Sequence, residues 1–462
     1  MGGNGNRLSS GIQGLDEVLE GGFIPGQSYL VRGGPGTGKT ILGLHFLCSG
    51  TSRGEKALLI TLMEQEDQIR KNAEALGPNL QDVAFLDMSP TSKVFTNQES
   101  YDIFSPAEVE REPLTSKIVE NLEKLKPQRV FIDSMTQLRY LSPDAFQFRR
   151  QVLSLQRFFL EHGATILFSS EASDEAPDAD MVFLSDAVIE VLQTPERRGL
   201  KVTKFRGSGF RSGIHSVKMT SQGMLVFPKL MPDTDRREFA PETIPSGVPE
   251  LDQLLAGGLE RGTISIIAGP TGVGKTTLGL QFMKEAASRG ERSVVYGFEE
   301  AVETLRHRCR SINIPVEAVM ERGTLSLVKI EPLHQTPEEF ACMVRHEVQK
   351  HGTKIVMLDS VAGYRLSLKG DENLVAHLHA LCKYLANLGV TVLLINGIEA
   401  INGEFRATEH GLSYLADNIV FLRYLELHGE MRKTVGVLKK RLTSFEKTLR
   451  EFEISRYGVK VG

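Results

Sequence analysis

A long internal repeat dominates this sequence of 462 residues. Segments of the first half recur in the second half at a constant offset of 236 residues, as from Ser10 to Ser246, and no gap is needed up to Glu64. The matching segments are Ser10-Gly11 and Ser246-Gly247, Leu15-Asp16 and Leu251-Asp252, Gly21-Gly22 and Gly257-Gly258, and Ser52-Arg53-Gly54-Glu55 and Ser288-Arg289-Gly290-Glu291. A repeat of this length predicts two domains that share one fold.

A change in composition separates the two copies. Prolines alternate there with charged residues, a mixture typical of linkers. The prolines are Pro228, Pro232, Pro241 and Pro245. We therefore predict a first domain over residues 1–230, a linker over 231–245 and a second domain over 246–462.

Short apolar runs alternate with longer helical stretches in each copy. This pattern predicts the α/β fold class, with a mostly parallel sheet flanked by helices in each domain. The predicted strands are 28–31, 57–61, 84–88, 129–133 and 165–169 in the first copy, and 264–268, 293–297, 325–330, 355–359 and 391–395 in the second.

The most specific motif, G-x-x-x-x-G-K-[ST], occurs once in each copy, between a strand pattern and a helix pattern. Its glycines let backbone N–H groups wrap around phosphates, and the following helix directs its positive end at them. Because the two matches occur in register, the probability that they are chance glycine-rich turns is negligible. The predicted ATP-binding residues are Gly33, Gly34, Pro35, Gly36, Thr37, Gly38, Lys39 and Thr40, and Gly269, Pro270, Thr271, Gly272, Val273, Gly274, Lys275, Thr276 and Thr277.

An apolar strand pattern ends in an acid in each copy, at Asp133 and at Asp359. Such a strand is by itself more often structural, but downstream of a phosphate loop its carboxylate is placed to hold Mg²⁺. The hydroxyl that closes the phosphate loop supplies a second oxygen ligand. The predicted metal ligands are therefore Thr40, Asp133, Thr276 and Asp359.

Further acids follow the second strand pattern of each copy. Glu299 and Glu300 occupy this place in the second copy, whereas Met63 and Glu64 occupy it in the first. A carboxylate near the γ-phosphate can orient and deprotonate an attacking water. The alternative is an acid that merely stabilises the start of a helix. The predicted catalytic residues are Glu64, Glu299, Glu300, Lys39 and Lys275, and Met63 predicts that the two sites are unequal.

Cations alternate along a probable strand near the end of each copy. Lys204 and Arg206 share one face of the first, and Lys439 and Arg441 share one face of the second. Alone, this pattern is typical of an edge strand blunted by charge. Beside two ATP sites, it also suits cationic fingers that reach the nucleotide of a neighbouring subunit.

Composition narrows the classes of function. The formal net charge of -4 disfavours nucleic acid as the partner. Apolar runs fall far short of the roughly 20 residues that a membrane span requires, so no membrane role is expected. The first ten residues lack the apolar stretch of a signal peptide, and a cytoplasmic location is expected.

Together these motifs resemble the KaiC branch of the RecA-like ATPases, a family of two-domain circadian-clock ATPases and autokinases. The resemblance rests on S-G-x-x-x-L-D-x-x-L-x-G-G before each phosphate loop, on the trio 298–300, on the I-D-S and L-D-S strand ends and on the two cationic trios. It implies two tandem RecA-like P-loop NTPase domains, ATP and Mg²⁺ as cofactors, and a homohexamer with ATP between subunits. It also implies regulatory protein partners, cations that act in trans, and Glu299 and Glu300 at the second site.

The family's second domain can phosphorylate itself on a Ser-Thr pair shortly before an Asp. Ser413 fits the acceptor serine, Tyr414 stands in the place of the threonine, and Asp417 follows. Ser413 is thus the candidate phosphoacceptor, and a plain surface serine is the alternative. The chain stops at Gly462, soon after its last strand pattern, and we expect it to lack the long C-terminal tail of clock members.

We therefore expect an ATP-hydrolysing hexameric switch with a slow first ring. Two other classes stay open. A DNA-dependent ATPase or recombinase of the RecA-like group is favoured by the basic residues Lys439, Lys440, Arg441, Lys447 and Arg450 and disfavoured by the acidic balance. A nucleotide-gated scaffold with little turnover is the third class, because bound nucleotide alone can hold a ring together.

Overall fold

Two units follow one another along the chain in the computed structural model, Met1–Lys229 and Leu230–Gly462. The structure describes residues 7–89, 111–171, 177–195, 197–232, 236–368, 373–398 and 412–462. Part of the segment predicted as a linker forms contacts with the second unit, since Glu242 pairs with Arg261 at 2.6 Å. The limits of the linker stay a prediction.

The first unit is built on a nine-stranded sheet. Its strands are β1 (Ser28–Gly33), β2 (Ala57–Thr61), β3 (Val83–Asp87), β4 (Arg129–Asp133), β5 (Thr165–Glu171), β6 (Ala187–Gln193), β7 (Arg198–Phe205), β8 (His215–Thr220) and β9 (Gly223–Phe227). Its helices are Leu15–Val18, Lys39–Thr51, Glu66–Leu76, Arg111–Leu125, Met135–Leu141, Ala145–Glu161 and Ala179–Leu184.

The second unit repeats this architecture. Its strands are β10 (Thr243–Ile244), β11 (Leu259–Glu260), β12 (Ile264–Gly269), β13 (Ser293–Gly297), β14 (Leu325–Lys329), β15 (Ile355–Asp359), β16 (Thr391–Gly397), β17 (Asn418–Leu427), β18 (Glu430–Lys440), β19 (Arg450–Ser455) and β20 (Gly458–Val461). Its α-helices are Pro249–Leu254, Lys275–Ser288, Val302–Ser311, Val316–Glu321, Pro337–His351, Val361–Arg365 and Leu374–Asn387.

Strand order is the same in the two large sheets. It runs β3-β2-β4-β5-β1-β6-β7-β8-β9 in the first and β14-β13-β15-β16-β12-β17-β18-β19-β20 in the second. The strands from β3 to β6 are parallel, and β6 to β9 are antiparallel. This order confirms the predicted α/β class of two tandem domains. It also places the carboxyl ends of β1, β2, β4 and β5 at one edge of the sheet.

Each sheet buries both of its faces. In β1, Tyr29 and Val31 belong to one apolar cluster and Leu30 to another, and neighbouring strands divide their side chains in the same way. Alternation of this kind is expected where helices cover both sides of a parallel sheet. The ten predicted strands coincide with strands of the structure to within two residues at each end.

The antiparallel part of each sheet contains more strands than the sequence predicts. Strand patterns were recognised for β7 and for the end of β18, whereas β6, β8, β9, β17, β19 and β20 were not predicted. No helix among the described residues is both long and apolar enough to cross a membrane.

Candidate functional site

The two phosphate loops connect β1 and β12 to the helices Lys39–Thr51 and Lys275–Ser288. Each helix follows a glycine in the left-handed region, Gly38 at φ 108° and Gly274 at φ 117°. A Cβ atom on Gly38 would lie 2.0 Å from the terminal methyl group of Met219. The backbone conformation therefore favours glycine at both positions, a Cβ on Gly38 would also displace the end of the Met219 side chain, and both helices direct their first N–H groups toward the loop.

The loop lysines lie over their own loops. Lys39 Nζ donates to the carbonyl oxygens of Gly33 at 3.0 Å and Gly34 at 2.8 Å, and Lys275 Nζ donates to that of Pro270 at 2.8 Å. Burial lowers the pKa of both lysines, although nearby carboxylates oppose the shift. Both ammonium groups are thus partly desolvated cations, which favours pairing with phosphate.

Threonine and aspartate meet at the end of each loop. Thr40 Oγ1 donates to Asp133 Oδ2 at 2.6 Å, and Thr276 Oγ1 donates to Asp359 Oδ2 at 2.7 Å. Burial raises the pKa of Asp359, while the bond from Thr276 lowers it. A hydroxyl oxygen beside a carboxylate is the hard oxygen donor set that Mg²⁺ prefers when substrate phosphates complete its coordination. The two threonine–aspartate pairs therefore have the chemistry that a Mg²⁺ site requires.

The acids that follow β13 have separate partners. The hydroxyl of Ser360 donates to Glu299 Oε1, and Glu300 Oε2 lies 3.0 Å from Arg308 Nη2. Glu299 also lies near enough to Lys275 for its charge to oppose the lowered pKa of that lysine. The second site thus holds two carboxylates in different surroundings.

The first copy differs at the same place. Met63 is 48% exposed, and the Ser134 hydroxyl lies 3.7 Å from its sulfur. Glu64 Oε2 lies 3.5 Å from Asn72 Nδ2, and burial followed by the charge of Asp133 raises the pKa of Glu64. The first site therefore has one carboxylate of raised proton affinity where the second site has two carboxylates.

The four predicted finger cations lie apart from the phosphate loops. Among the described residues, their side chains bond within the same unit, to the helix Ala179–Leu184 and the residue that precedes β6, or to residues 413–417 before β17: Lys204 Nζ to the carbonyls of Val182 and Phe183, Arg206 to Asp186, Lys439 Nζ to the carbonyls of Ser413 and Ala416, and Arg441 to Asp417. The side chains of Arg206 and Arg441 are about half exposed, at 54% and 52%. Their roles stay a prediction.

Ser413 lies on the short 3-10 turn Leu412–Tyr414, directly before β17. It is exposed, and its carbonyl oxygen accepts a hydrogen bond from Lys439 at 3.0 Å. The candidate phosphoacceptor and the cations of the second copy therefore occupy the same edge of the unit.

Several residues around the sites were missed by the sequence prediction. The Ser169 hydroxyl donates to Asp133, whereas Ile395 occupies the corresponding place in the second copy. The charge of Glu171, which pairs in register with Gly33, opposes the lowered pKa of Lys39. Arg308 was missed as well, and Ser360 was recognised only as part of the L-D-S strand end, without a role at the site. Single serines and an arginine inside an amphipathic helix have no pattern of their own, so only the fold reveals them.

Comparison with known proteins follows the same division of the chain. The family model described as ATPase: KaiC matches residues 8–231 and again residues 244–462. The circadian clock oscillator protein KaiC of Prochlorococcus marinus (strain MIT 9313) is 30% identical over 98% of this chain and 92% of its own length. The circadian clock protein KaiC3 of Synechocystis sp. (strain ATCC 27184 / PCC 6803 / Kazusa) is 27% identical over 99% and 92%. With its two matched ATPase domains, the chain belongs to the KaiC family.

Proposed function

We propose that the chain is an ATP-hydrolysing switch that binds Mg-ATP at both phosphate loops. The observation that carries this proposal is the recurrence of one geometry in both units, in which a loop lysine, a threonine and an aspartate converge at the end of β1 or β12. The loop amides and the lysine bind the phosphates, and the threonine–aspartate pair holds Mg²⁺. Mg²⁺ neutralises charge on the β- and γ-phosphate oxygens.

Hydrolysis requires one proton acceptor at each site. A water oxygen forms a bond to the γ-phosphorus, the bond from that phosphorus to the bridging oxygen breaks, and ADP leaves with the electron pair. The proton of the water passes to a carboxylate, which we assign to Glu299 at the second site and to Glu64 at the first. The Ser360 hydroxyl fixes the orientation of Glu299 by donating to it.

The two sites differ in rate in this proposal. Met63 cannot accept a proton, so the step at the first site depends on Glu64, which occupies the place of Glu300 and not that of Glu299. The first site therefore turns over slowly. The second site supplies most of the hydrolysis.

The assembly that we propose is a homohexamer with nucleotide between adjacent subunits. The cations Lys204, Arg206, Lys439 and Arg441 reach the nucleotide of a neighbour in trans. Support comes from the exposure of Arg206 and Arg441 and from the anchoring of Lys204 and Lys439 on residues that precede β6 and β17 rather than on their own phosphate loops.

Lysine substitutions test this function. Phosphate release is measured for the parent chain, for Lys275→Ala and for Lys39→Ala, with Mg-ATP affinity measured in parallel by calorimetry. Lys275→Ala should remove most of the turnover, and Lys39→Ala should remove little. Equal losses would contradict the unequal sites, and a parent chain that binds ATP without turnover would favour the scaffold.

A second activity that we propose is transfer of the γ-phosphoryl group to Ser413. The exposed position of Ser413 beside Lys439 supports it, because a finger cation that reaches a neighbour's nucleotide carries the serine with it. The serine oxygen attacks the γ-phosphorus, its proton passes to Glu299 and ADP leaves. Incubation with γ-labelled ATP followed by peptide mapping should place label on the peptide that contains Ser413. Label retained in Ser413→Ala would refute this assignment.

A further inference from the structure

The paired acids of the second site have different partners. The neutral hydroxyl of Ser360 donates to Glu299. Glu300 instead faces the guanidinium of Arg308 at 3.0 Å. The charge of Arg308 also reaches Asp359, where it opposes the raised pKa that burial causes. Arg308 lies on the helix Val302–Ser311 and is close enough for its charge to act on the site.

The first copy replaces two of these residues together. Met63 and Asn72 stand at the positions of Glu299 and Arg308, both at the offset of 236 residues. The helices Glu66–Leu76 and Val302–Ser311 begin at the same offset, so the two positions are structurally equivalent. Asn72 Nδ2 lies 3.5 Å from Glu64 Oε2, in the place where the guanidinium faces Glu300.

The two replacements compensate each other in charge. The second copy has two acids and one cation at these positions, and the first copy has one acid and no cation, so each retains one net negative charge. Loss of the first acid is thus accompanied by loss of the cation that occupies the second. The ion pair holds the Glu300 carboxylate toward the helix Val302–Ser311, whereas Glu64 has the neutral amide of Asn72 in the corresponding place.

We infer that the residue at the position of Arg308 decides which of the two adjacent acids accepts the proton. This inference rests on the proposed ATP hydrolysis and assigns its proton acceptor separately in each copy. Arg308 withholds Glu300 from proton transfer, so Glu299 takes the proton of the attacking water. Asn72 leaves Glu64 free, so the neighbouring residue performs the same step in the first copy. Arg308 acts through Glu300 and is therefore a positioning residue.

The test converts the second site into a copy of the first. The background is a Lys39→Ala chain, in which only the second phosphate loop is functional. In it, Glu299→Met should lower kcat by about 100-fold, the order expected for loss of a general base. Adding Arg308→Asn should then raise kcat at least tenfold, because Glu300 is released. In a Lys275→Ala chain, Asn72→Arg should lower kcat at least tenfold. KM should change little in each case.

Arg310 provides a matched control on the same helix. It is exposed and pairs with Glu317 at 2.7 Å, and Arg310→Asn should give no rescue of Glu299→Met. A double variant Glu299→Met/Arg308→Asn no more active than Glu299→Met would overturn the inference while an active parent upholds the proposed function. A Lys39→Ala parent without turnover would refute the function of the second site and the inference with it.

Discussion

A buried ion pair of the second unit gives a sharp test of how the duplicated fold is held together. The side chain of Lys440 is fully buried, and its Nζ lies 2.9 Å from Glu260 Oε1. The same ammonium donates to the carbonyl oxygens of Leu255 at 2.5 Å and Gly258 at 2.9 Å. In the first copy the equivalent positions are Phe205 and Ile24, which pack in one apolar cluster. One fold thus fills this place with either an ion pair or an apolar pair.

We predict that Lys440→Met strongly destabilises the second unit. The substitution leaves Glu260 at 11% side-chain exposure without its cation, and breaking one side of a buried pair costs about 3–5 kcal/mol. For a unit of roughly 230 residues, each kcal/mol lowers Tm by about 2–4 °C, so the transition should fall by roughly 6–20 °C.

The loss should also depend on pH. Burial alone raises the pKa of Glu260, but hydrogen bonds from Thr443 and Lys440 outweigh it and leave the pKa lowered. A lowered pKa contributes stability above the unfolded-state value, and that stability is lost as pH falls through the folded-state value. The difference between Lys440→Met and the parent should therefore be largest near neutral pH and should shrink in acid.

Thermal unfolding followed by circular dichroism measures the effect, since the chain has no tryptophan for fluorescence. Hydrogen exchange in β17 and β18 identifies the transition of the second unit. Lys460→Met, an exposed lysine of β20, is the control and should change stability by less than about 0.5 kcal/mol. Glu260→Ile/Lys440→Phe, which installs the residues of the first copy, should recover most of the loss. A Lys440→Met chain as stable as the Lys460→Met control would contradict the role assigned to the Lys440–Glu260 ion pair.

Three further predictions concern the sites. In a Lys275→Ala chain, kcat/KM should fall on acidification at a pH above that of an ordinary glutamate, because burial and Asp133 raise the pKa of Glu64; a limb at the ordinary value contradicts this. Thr276→Val should weaken Mg-dependent ATP binding at the second site at least tenfold in calorimetry, whereas Thr276→Ser should preserve it. With the first site disabled by Lys39→Ala, mixing Lys275→Ala and Arg441→Ala subunits should restore about a quarter of the second-site turnover, since intact loops then meet intact fingers at random in a ring; no restoration contradicts action in trans.

The sequence predicts the parallel core because its signals are local. Apolar runs such as 57–61 and 355–359 coincide with β2 and β15 to the residue, and the glycine pattern locates both phosphate loops. The antiparallel strands after β5 and β16 carry mixed polarity, so most of them gave no clear pattern. Their pairing depends on long-range register that no short window contains.

The surroundings of the acids were beyond prediction for a related reason. Ser360 contacts Glu299 across 61 positions of the chain, and Ser169 contacts Asp133 across 36. A serine has no periodic signature, and its partner is set only when two strand ends meet at one edge of the sheet. The sequence alone shows that Met63 stands at the position of Glu299. That Asn72 stands at the position of Arg308 can be interpreted only from the contacts of these two residues with Glu64 and Glu300.

The number of Mg-ATP molecules that one chain binds tests directly whether both phosphate loops are nucleotide sites. Calorimetry on nucleotide-stripped protein should give two per chain for the parent, and one per chain for Lys39→Ala and for Lys275→Ala. Binding should require Mg²⁺ in every case, because the threonine–aspartate pair holds the metal at each loop. A parent chain that takes up no Mg-ATP, or single variants that bind as much as the parent, would contradict the assignment of both loops as nucleotide sites.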